Sequence, residues 1–529
     1  MGATGVILPI LVLGIAIGIA FFYPTLFPSV SPRFEQYNQT YTEALRLSRN
    51  NQSNQSQQLL NEFFKNYNAS DDAFTLDYGL KGKALVLSAL IDLNDSNPKV
   101  ACPKAYEGGK RVISTEGTHS AAVGDAYYAM GWCHFFYANY SEAITILKQS
   151  QHVRSEVHGE NASLTLEPRD LLSRIYLRTG SLGDALEESQ DVLRIRHHEY
   201  KKFTMETLKS YLVMGELYDT LGYAEGGLKF KSNAWDVVED NNLTSTMLGL
   251  NVLETLAISW LHWNNPPKAV YQINSVYNLK KDILPADNLN LWNCLYLYGK
   301  ILQEKGDNDK AREKLEKVLD YRLKYWGPSH PDVGDVYYHI GLSYLNQSKW
   351  EPAAQNLEKA VAIYEKYFNN EYPIVFVAHD YYGYALAKTA QKEKGKSYLA
   401  KALEVANQYY PDNHYIVGNI YAHLADVARD EKKYDLAIEY DTKALESYRL
   451  YYGETEEIPF EHEEKLAWNH FLKGEADIAI GKLENLIERR KSSERPNPKK
   501  LKPIYQKLAD IFEKKADLAK AAYYRSLNP

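Results

Sequence analysis

At 529 residues the chain is longer than a typical single domain, which predicts either several globular domains or an array of stacked repeats. Apolar residues make up 45% and charged residues 24%, a composition typical of folded proteins and too apolar for general disorder. The formal net charge of −7 argues against a nucleic-acid partner, because nucleic-acid-binding proteins usually carry an excess of basic residues.

The N-terminus is strongly apolar. The first 32 residues contain no charged side chain, and residues 6–23 are almost continuously apolar before Pro24. Because a helix rises about 1.5 Å per residue, this stretch nearly spans a bilayer. We therefore expect residues 1–32 to be a membrane anchor with one transmembrane helix that contacts lipid through residues 6–23. A cleaved signal peptide is the alternative, but a basic N-terminal region and a clear cleavage site are missing.

Residues 33–75 are rich in Asn, Gln and Ser and are expected to form a polar stalk. The three cysteines, Cys102, Cys133 and Cys294, are far apart and form no CxxC motif, which excludes a disulfide framework. One pair could still form a bridge. We favour small buried apolar residues, the more common role of isolated cysteines in helices.

Residues 76–529 contain a repeat with a constant period of 42 residues. Gly or Ala recurs at this interval over 143–521, and a second small residue lies twelve residues before each, over 131–509. Two helices can cross closely only where side chains are small. The pattern therefore predicts ten helical hairpins, with one more unit upstream that is marked by Ala89 and Ala101.

The unit resembles the tetratricopeptide repeat (TPR), whose pattern Gly341, Tyr344, Ala353 and Ala360 follow. The 42-residue period and the loop at 326–333 are similar to those of kinesin light chains. The resemblance implies an all-α, right-handed superhelical solenoid of about ten to eleven TPR hairpins, preceded by the N-terminal transmembrane helix. A motor-associated role is not expected, because no sustained heptad pattern precedes the repeats and the paired groove asparagines of that family are replaced.

The sequence contains no nucleotide-binding, hydrolase, zinc-protease or calcium-binding motif. The densest metal-capable clusters, such as His197-His198-Glu199, consist of adjacent residues, which point in different directions on a helix. We therefore expect no enzymatic activity, no cofactor, no metal site and no small-molecule substrate.

Nine Asn-x-Ser/Thr sequons predict N-glycosylation, and hence a solenoid in the secretory lumen or outside the cell. Alternatively, Asn and Ser meet because both favour turns. Arg33, Arg46 and Arg49 follow the apolar segment and conflict with the lumenal topology, so a mitochondrial membrane stays as the alternative location. The sequons lie at Asn38, Asn51, Asn54, Asn68, Asn94, Asn139, Asn161, Asn242 and Asn346.

In the family that the sequence resembles, four positions of each first helix line a concave groove. The resemblance implies a groove with thirteen acidic, four basic and eight aromatic residues, which is expected to bind basic or aromatic peptides. We therefore expect a membrane-anchored scaffold or adaptor that binds other proteins. A mitochondrial TPR receptor or protease adaptor that faces the cytosol or the intermembrane space is the alternative. The candidate groove residues are Tyr128, Trp132, Asp170, Glu216, Glu254, Tyr296, Tyr338, Asp380, Tyr384, Asp426 and Trp468.

Overall fold

The computed structural model describes residues 32–50, 52–67, 75–200, 204–221, 223–263, 265–368, 373–410, 414–493 and 498–527. These residues form twenty-four α-helices and one short 3₁₀ helix, Pro498–Lys500. The α-helices are α1 (Pro32–Arg49), α2 (Ser53–Asn66), α3 (Thr75–Asn94), α4 (Pro98–Glu116), α5 (Ala121–Phe136), α6 (Tyr140–His158), α7 (Ser163–Thr179), α8 (Leu182–Glu199), α9 (Met205–Thr220), α10 (Ala224–Asp240), α11 (Met247–His262), α12 (Pro266–Ile283), α13 (Leu289–Lys305), α14 (Asn308–Trp326), α15 (Pro331–Leu345), α16 (Trp350–Tyr367), α17 (Pro373–Ala387), α18 (Lys392–Tyr409), α19 (Tyr415–Asp430), α20 (Tyr434–Tyr452), α21 (Glu457–Lys473), α22 (Ala476–Ser492), α23 (Lys502–Lys514) and α24 (Leu518–Ser526).

From α3 onward, each odd-numbered helix is the first helix of a hairpin and the following helix is the second. The paired small residues lie where the two helices approach most closely. A Cβ atom added at Gly341 would lie 2.7 Å from Leu357 Cγ, and one added at Gly299 would lie 2.8 Å from Leu315 Cγ. The predicted all-α solenoid of helical hairpins is confirmed.

Local sequence explains where several helices begin and end. At the start of α11, the Thr246 side chain accepts a hydrogen bond from the Gly249 backbone N–H, which satisfies one donor that the first turn leaves free. Gly306 and Gly474 end α13 and α21 in the left-handed conformation, with φ of 96° and 101°, which a residue without Cβ adopts at low cost.

The fold consists of two compact units, Met1–Leu172 and Ser173–Pro529, which we call the N-terminal and C-terminal units. In the N-terminal unit, α1 and α2 pack on α3 through a buried cluster that includes Tyr37, Phe63 and Leu80. Much of the segment expected to be a polar stalk is therefore helical and shares a core with the first hairpin.

In the C-terminal unit, core clusters join neighbouring hairpins. Leu315 of α14 packs with Leu295 of α13 in its own hairpin, and the same cluster includes Ile340 of α15 in the next one. Stability in such an array is approximately a sum of hairpin terms and nearest-neighbour interfaces. A substitution is therefore expected to act mainly on its own hairpin and the adjacent ones.

Cys102 of α4 and Cys133 of α5 form a disulfide, with their Cα atoms 5.5 Å apart. Both residues are buried, and Cys294 is a buried free cysteine. The favoured interpretation of all three as unbridged apolar residues is therefore wrong for this pair and holds for Cys294. The two cysteines are 31 residues apart, and the spacing alone does not select this pair.

The expected single-pass membrane topology is contradicted. None of the helices in the described ranges is both long and apolar enough to cross a membrane. The strongly apolar α17 has only 15 residues, whereas a span needs about 20, and the 20-residue α3 contains four charged residues. The segment proposed as the anchor, residues 6–23, lies outside the described residues.

Replacing Gly341 with leucine should destabilise the C-terminal unit by about 1–3 kcal/mol, because the new side chain is forced against Leu357. Denaturant unfolding measures this loss. Gly481→Leu is the matched control, because a Cβ at Gly481 in α22 meets no atom within 4 Å. Equal losses from the two substitutions would contradict the role given to the small residue.

Candidate functional site

A continuous row of aromatic rings follows the first helices of the C-terminal unit. It crosses α13, α15, α17 and α19, which belong to four consecutive hairpins. Neighbouring ring centroids lie 4.2–5.9 Å apart, so each ring packs directly against the next. We call this row the aromatic ladder; it consists of Tyr296, His339, Tyr338, Tyr381, His423 and Tyr384.

The repeat explains why these rings line up. Tyr296, Tyr338 and Asp380 are separated by 42 residues, so they occupy the same position in three consecutive first helices. Tyr381 follows Asp380 directly and lies 5.9 Å from Tyr338, measured between ring centroids. The groove prediction missed Tyr381, although its place next to a predicted groove position was the available signal.

Hydrogen bonds link the ladder to acidic side chains. Asp380 Oδ1 lies 2.8 Å from His423 Nδ1, and the Tyr384 hydroxyl donates to Asp426 Oδ2 at 3.0 Å. The His423 ring stacks on Tyr384, with centroids 4.2 Å apart. The structure thus brings three candidate groove residues, Asp380, Tyr384 and Asp426, into one cluster.

The charge states in this cluster follow from burial and nearby cations. Burial raises the pKa of Tyr384, and the neighbouring Asp426 raises it further, so the phenol stays a hydrogen-bond donor at neutral pH. Burial alone would raise the pKa of Asp426, but Lys465, Arg429 and Lys388 together lower it to about 2. Asp426 is therefore ionised at neutral pH.

Second helices carry buried cations that sequence reasoning missed. Arg154, Arg196, Lys280, Arg322 and Arg490 are separated by multiples of 42 residues, and all five are buried. Each one forms hydrogen bonds with a neighbouring first helix. Lysine and arginine are rarely buried unless they are paired, so they were not considered as part of the core. Their recurrence in the repeat register was the signal that could have identified them.

These and other cations neutralise much of the acidic surface inferred from the sequence. Nine of the thirteen acidic groove positions form ion pairs with lysine or arginine, so a count of groove residues overstates the negative charge that a ligand meets. The pairs are Asp125 and Glu167 with Arg154, Asp219 with Lys231, Glu254 with Lys280, Asp335 with Arg178, Asp426 with Arg429, Glu461 with Lys500, Glu464 with Lys507, and Glu513 with Arg525.

Three candidate groove residues belong to the N-terminal unit and are not part of the ladder. Tyr128 is buried, with the Arg154 guanidinium 4.5 Å from its ring centroid. Trp132 packs against the core of the same unit, and Asp170 is buried. Packing within the unit accounts for the positions of both aromatic residues.

Apart from Tyr296, the other candidates in the C-terminal unit lie away from the ladder. Tyr296 is at the α13 end of the ladder, whereas Glu216 is half-buried on α9. Glu254 is buried against Lys280, and Trp468 on α21 has the Lys507 ammonium 5.7 Å from its ring centroid. The ladder and its hydrogen-bond partners bring together five of the eleven candidate groove residues, namely Tyr296, Tyr338, Asp380, Tyr384 and Asp426.

The described sequon asparagines are all exposed, namely Asn38, Asn54, Asn94, Asn139, Asn161, Asn242 and Asn346. Asn51 and Asn68 lie outside the described residues. Exposure is required for glycosylation but does not test it, and N-glycosylation stays a prediction.

The metal-capable side chains of the His197-His198-Glu199 cluster have other contacts. Among the described residues, no group of three or more His, Cys, Asp or Glu side chains is placed to hold a metal ion. His197 Nε2 instead lies 3.0 Å from the Tyr211 hydroxyl, and His198 Nδ1 lies 3.1 Å from Glu199 Oε1.

Comparison with known proteins supports the repeat assignment. A tetratricopeptide-repeat family model matches residues 290–366, and no curated relative matches the sequence. A Rap protein complexed with Competence and Sporulation Factor is similar over 71% of this chain and 98% of its own, with 12% identity and a TM-score of 0.52.

Two further structures are similar at lower TM-scores. The kinesin-light-chain TPR-like repeats of Podosopora anserina match 38% of this chain and 95% of their own, with 16% identity and a TM-score of 0.32. IFIT1 with Gppp-AAAA matches 84% of this chain and 90% of its own, with 14% identity and a TM-score of 0.44. The family match over residues 290–366, together with the hairpin geometry and the 42-residue register, shows that the chain contains tetratricopeptide repeats.

Proposed function

We propose that the C-terminal unit is a protein-interaction scaffold that binds an extended peptide segment with basic residues along the aromatic ladder. TPR solenoids typically present such extended surfaces to partner proteins. The Rap protein, whose fold is similar over most of this chain, is itself in complex with Competence and Sporulation Factor. Both observations support a binding role.

The observation that carries the proposal is the continuity of the ladder. Rings from four consecutive first helices form one line of contacts across the hairpins. His339 and Tyr384 are buried, so the surface left for a ligand belongs to the half-buried rings, Tyr296, Tyr338, Tyr381 and His423. Cations bind such faces with about 0.5–1 kcal/mol at exposed sites and about 2 kcal/mol when water is excluded. The ladder can thus select basic side chains even though most groove acids are paired.

Acidic groups near the ladder add to this preference. Asp380 contacts the ladder directly, with its Oδ1 atom 2.8 Å from His423 Nδ1. Burial raises the pKa of Tyr338, and nearby groups that include Asp380 and Glu304 raise it further. We expect the affinity for a basic peptide to fall only moderately with added salt, because the acids closest to the ladder act at short range and few are unpaired.

Tyr381→Ala should weaken binding of a basic peptide by about fivefold to thirtyfold, which corresponds to the loss of about 1–2 kcal/mol of cation–π attraction. Fluorescence anisotropy with labelled peptides that alternate alanine with arginine, glutamate or leucine measures the effect. Tyr271→Ala is the control, because Tyr271 is 76% exposed on the second helix α12. Preference for the glutamate peptide, or equal effects of the two substitutions, would reject the ladder as the binding site.

A further inference from the structure

The C-terminal unit contains contacts between hairpins that are far apart in sequence. Arg178, at the C-terminal end of α7, donates from Nη2 to Asp332 Oδ1 at 2.7 Å and to Asp335 Oδ2 at 2.9 Å. Both acids lie in the first turns of α15, and three complete hairpins separate α15 from the hairpin of α7 and α8. The arginine therefore bridges non-adjacent repeats.

Two more contacts hold distant hairpins together. Gly180, with φ of 83°, approaches α17 so closely that a Cβ atom there would lie 2.0 Å from Pro373 Cδ. The Tyr451 hydroxyl at the end of α20 donates to the backbone oxygen of Leu221, which follows α9. The solenoid of this unit is therefore closed on itself at three points.

The two acids that Arg178 contacts are held in place by their own hairpin and by the preceding one. Asp335 Oδ1 accepts a hydrogen bond from the Tyr364 hydroxyl at 2.8 Å. Arg322 donates to the Asp332 backbone oxygen at 2.8 Å, and its guanidinium lies 4.3 Å from the ring centroid of Tyr296. The carboxylates thus form a preorganised pair at the α13 end of the aromatic ladder.

Arg178 is the more accessible partner of this contact. Its side chain is 37% exposed, compared with 24% for Asp332 and 8% for Asp335. Burial and the charge of Asp335 raise the pKa of Tyr296, and the charges of Arg322 and Arg178 lower it. The guanidinium is therefore the exposed side of this ion pair, and Arg178 is the partner that another arginine can replace.

We propose that the Asp332–Asp335 pair is an arginine-binding subsite of the ladder, and that Arg178 occupies it in the free protein as an internal ligand. This inference rests on the proposed function, because the competing guanidinium belongs to the basic peptide that binds the ladder. The incoming arginine makes the same two charge-assisted hydrogen bonds and displaces Arg178, which releases α7 from α15. Arginine is preferred to lysine because its planar group reaches both carboxylates at once.

Substitutions of the two partners of this ion pair test the proposal, because they are expected to change the peptide affinity in opposite directions. In Arg178→Ala, the subsite is vacant, so the alternating arginine–alanine peptide should bind about 1.5-fold to fivefold tighter, because it no longer has to displace a partly exposed arginine. In Asp332→Asn, the same internal contact is weakened but the subsite is also damaged, so the peptide should bind more weakly. Small-angle scattering without peptide should show a larger radius of gyration for both variants.

Arg194→Ala is the control, because Arg194 is 74% exposed on α8 and pairs locally with Asp191. It should change neither the affinity nor the radius of gyration. Affinity changes of the same sign in Arg178→Ala and Asp332→Asn, or an equal affinity for the lysine version of the peptide, would overturn the subsite. If the wild-type protein binds the peptide through Tyr381 and Arg178→Ala has no effect, this inference fails and the proposed function stands. If neither protein binds the peptide, both are wrong.

Discussion

Replacing Lys280 with alanine is expected to lower the free energy of unfolding of the C-terminal unit by about 3–5 kcal/mol, the usual cost of breaking a buried ion pair. Lys280 is 0% exposed. Its ammonium donates to Asn251 Oδ1 at 2.7 Å, to Asn290 Oδ1 at 2.6 Å and to the Glu254 carboxylate. These three bonds use every donor of the ammonium group, and without it the buried Glu254 loses its cation.

Two further variants separate charge from packing. Lys280→Met combined with Glu254→Gln removes both charges and should lose much less stability than Lys280→Ala, because no buried charge remains. Lys317→Ala removes an exposed lysine that pairs with Glu313 on α14 and should change little. Denaturant unfolding followed by circular dichroism gives the comparison. If the double variant loses as much as Lys280→Ala, the loss comes from packing and the ion pair is not its cause.

The hairpins could be predicted because each one repeats the same steric requirement. A small residue such as Gly341 is needed where Leu357 of the second helix crosses, and that need recurs in every unit. One small residue in a helix is a weak signal, whereas a small residue at every 42nd position is a strong one. The order of the helices and the positions where they cross closely can therefore be predicted from this single sequence.

The buried cations could not be recognised from composition, since lysine and arginine usually lie on the surface. Arg154 and Lys280 occupy one repeat register with Arg322, yet that position is not charged in every unit, which hides the pattern. A buried position can hold either an apolar side chain or a paired charge. The repeat register alone does not distinguish a buried apolar side chain from a buried paired charge. The negative charge of the groove was overestimated because the cations that pair with its acids were not recognised.

The closure of the C-terminal unit had no signal in the sequence. Arg178 and Asp332 are 154 residues apart, and Tyr451 is 230 residues from Leu221. Contacts between non-adjacent hairpins depend on small rotations that accumulate along the array, and these are not encoded in any single repeat. The aromatic ladder is an intermediate case, because the family resemblance implied Tyr296, Tyr338 and Tyr384 as groove residues and did not imply Tyr381.

Removing the Cys102–Cys133 disulfide is expected to destabilise the N-terminal unit by about 2–4 kcal/mol, because a cross-link restricts the unfolded chain. The bridge joins α4 to α5 across 31 residues and lies within their shared core. The Cys102→Ala/Cys133→Ala variant should therefore exchange amide hydrogens faster in α4 and α5, and much less so in α19 and α20, since each hairpin is stabilised mainly by its neighbours. A reductant should reproduce this change in the wild-type protein and add nothing in the variant. Unchanged exchange in α4 and α5 after reduction would show that packing alone holds these two helices together.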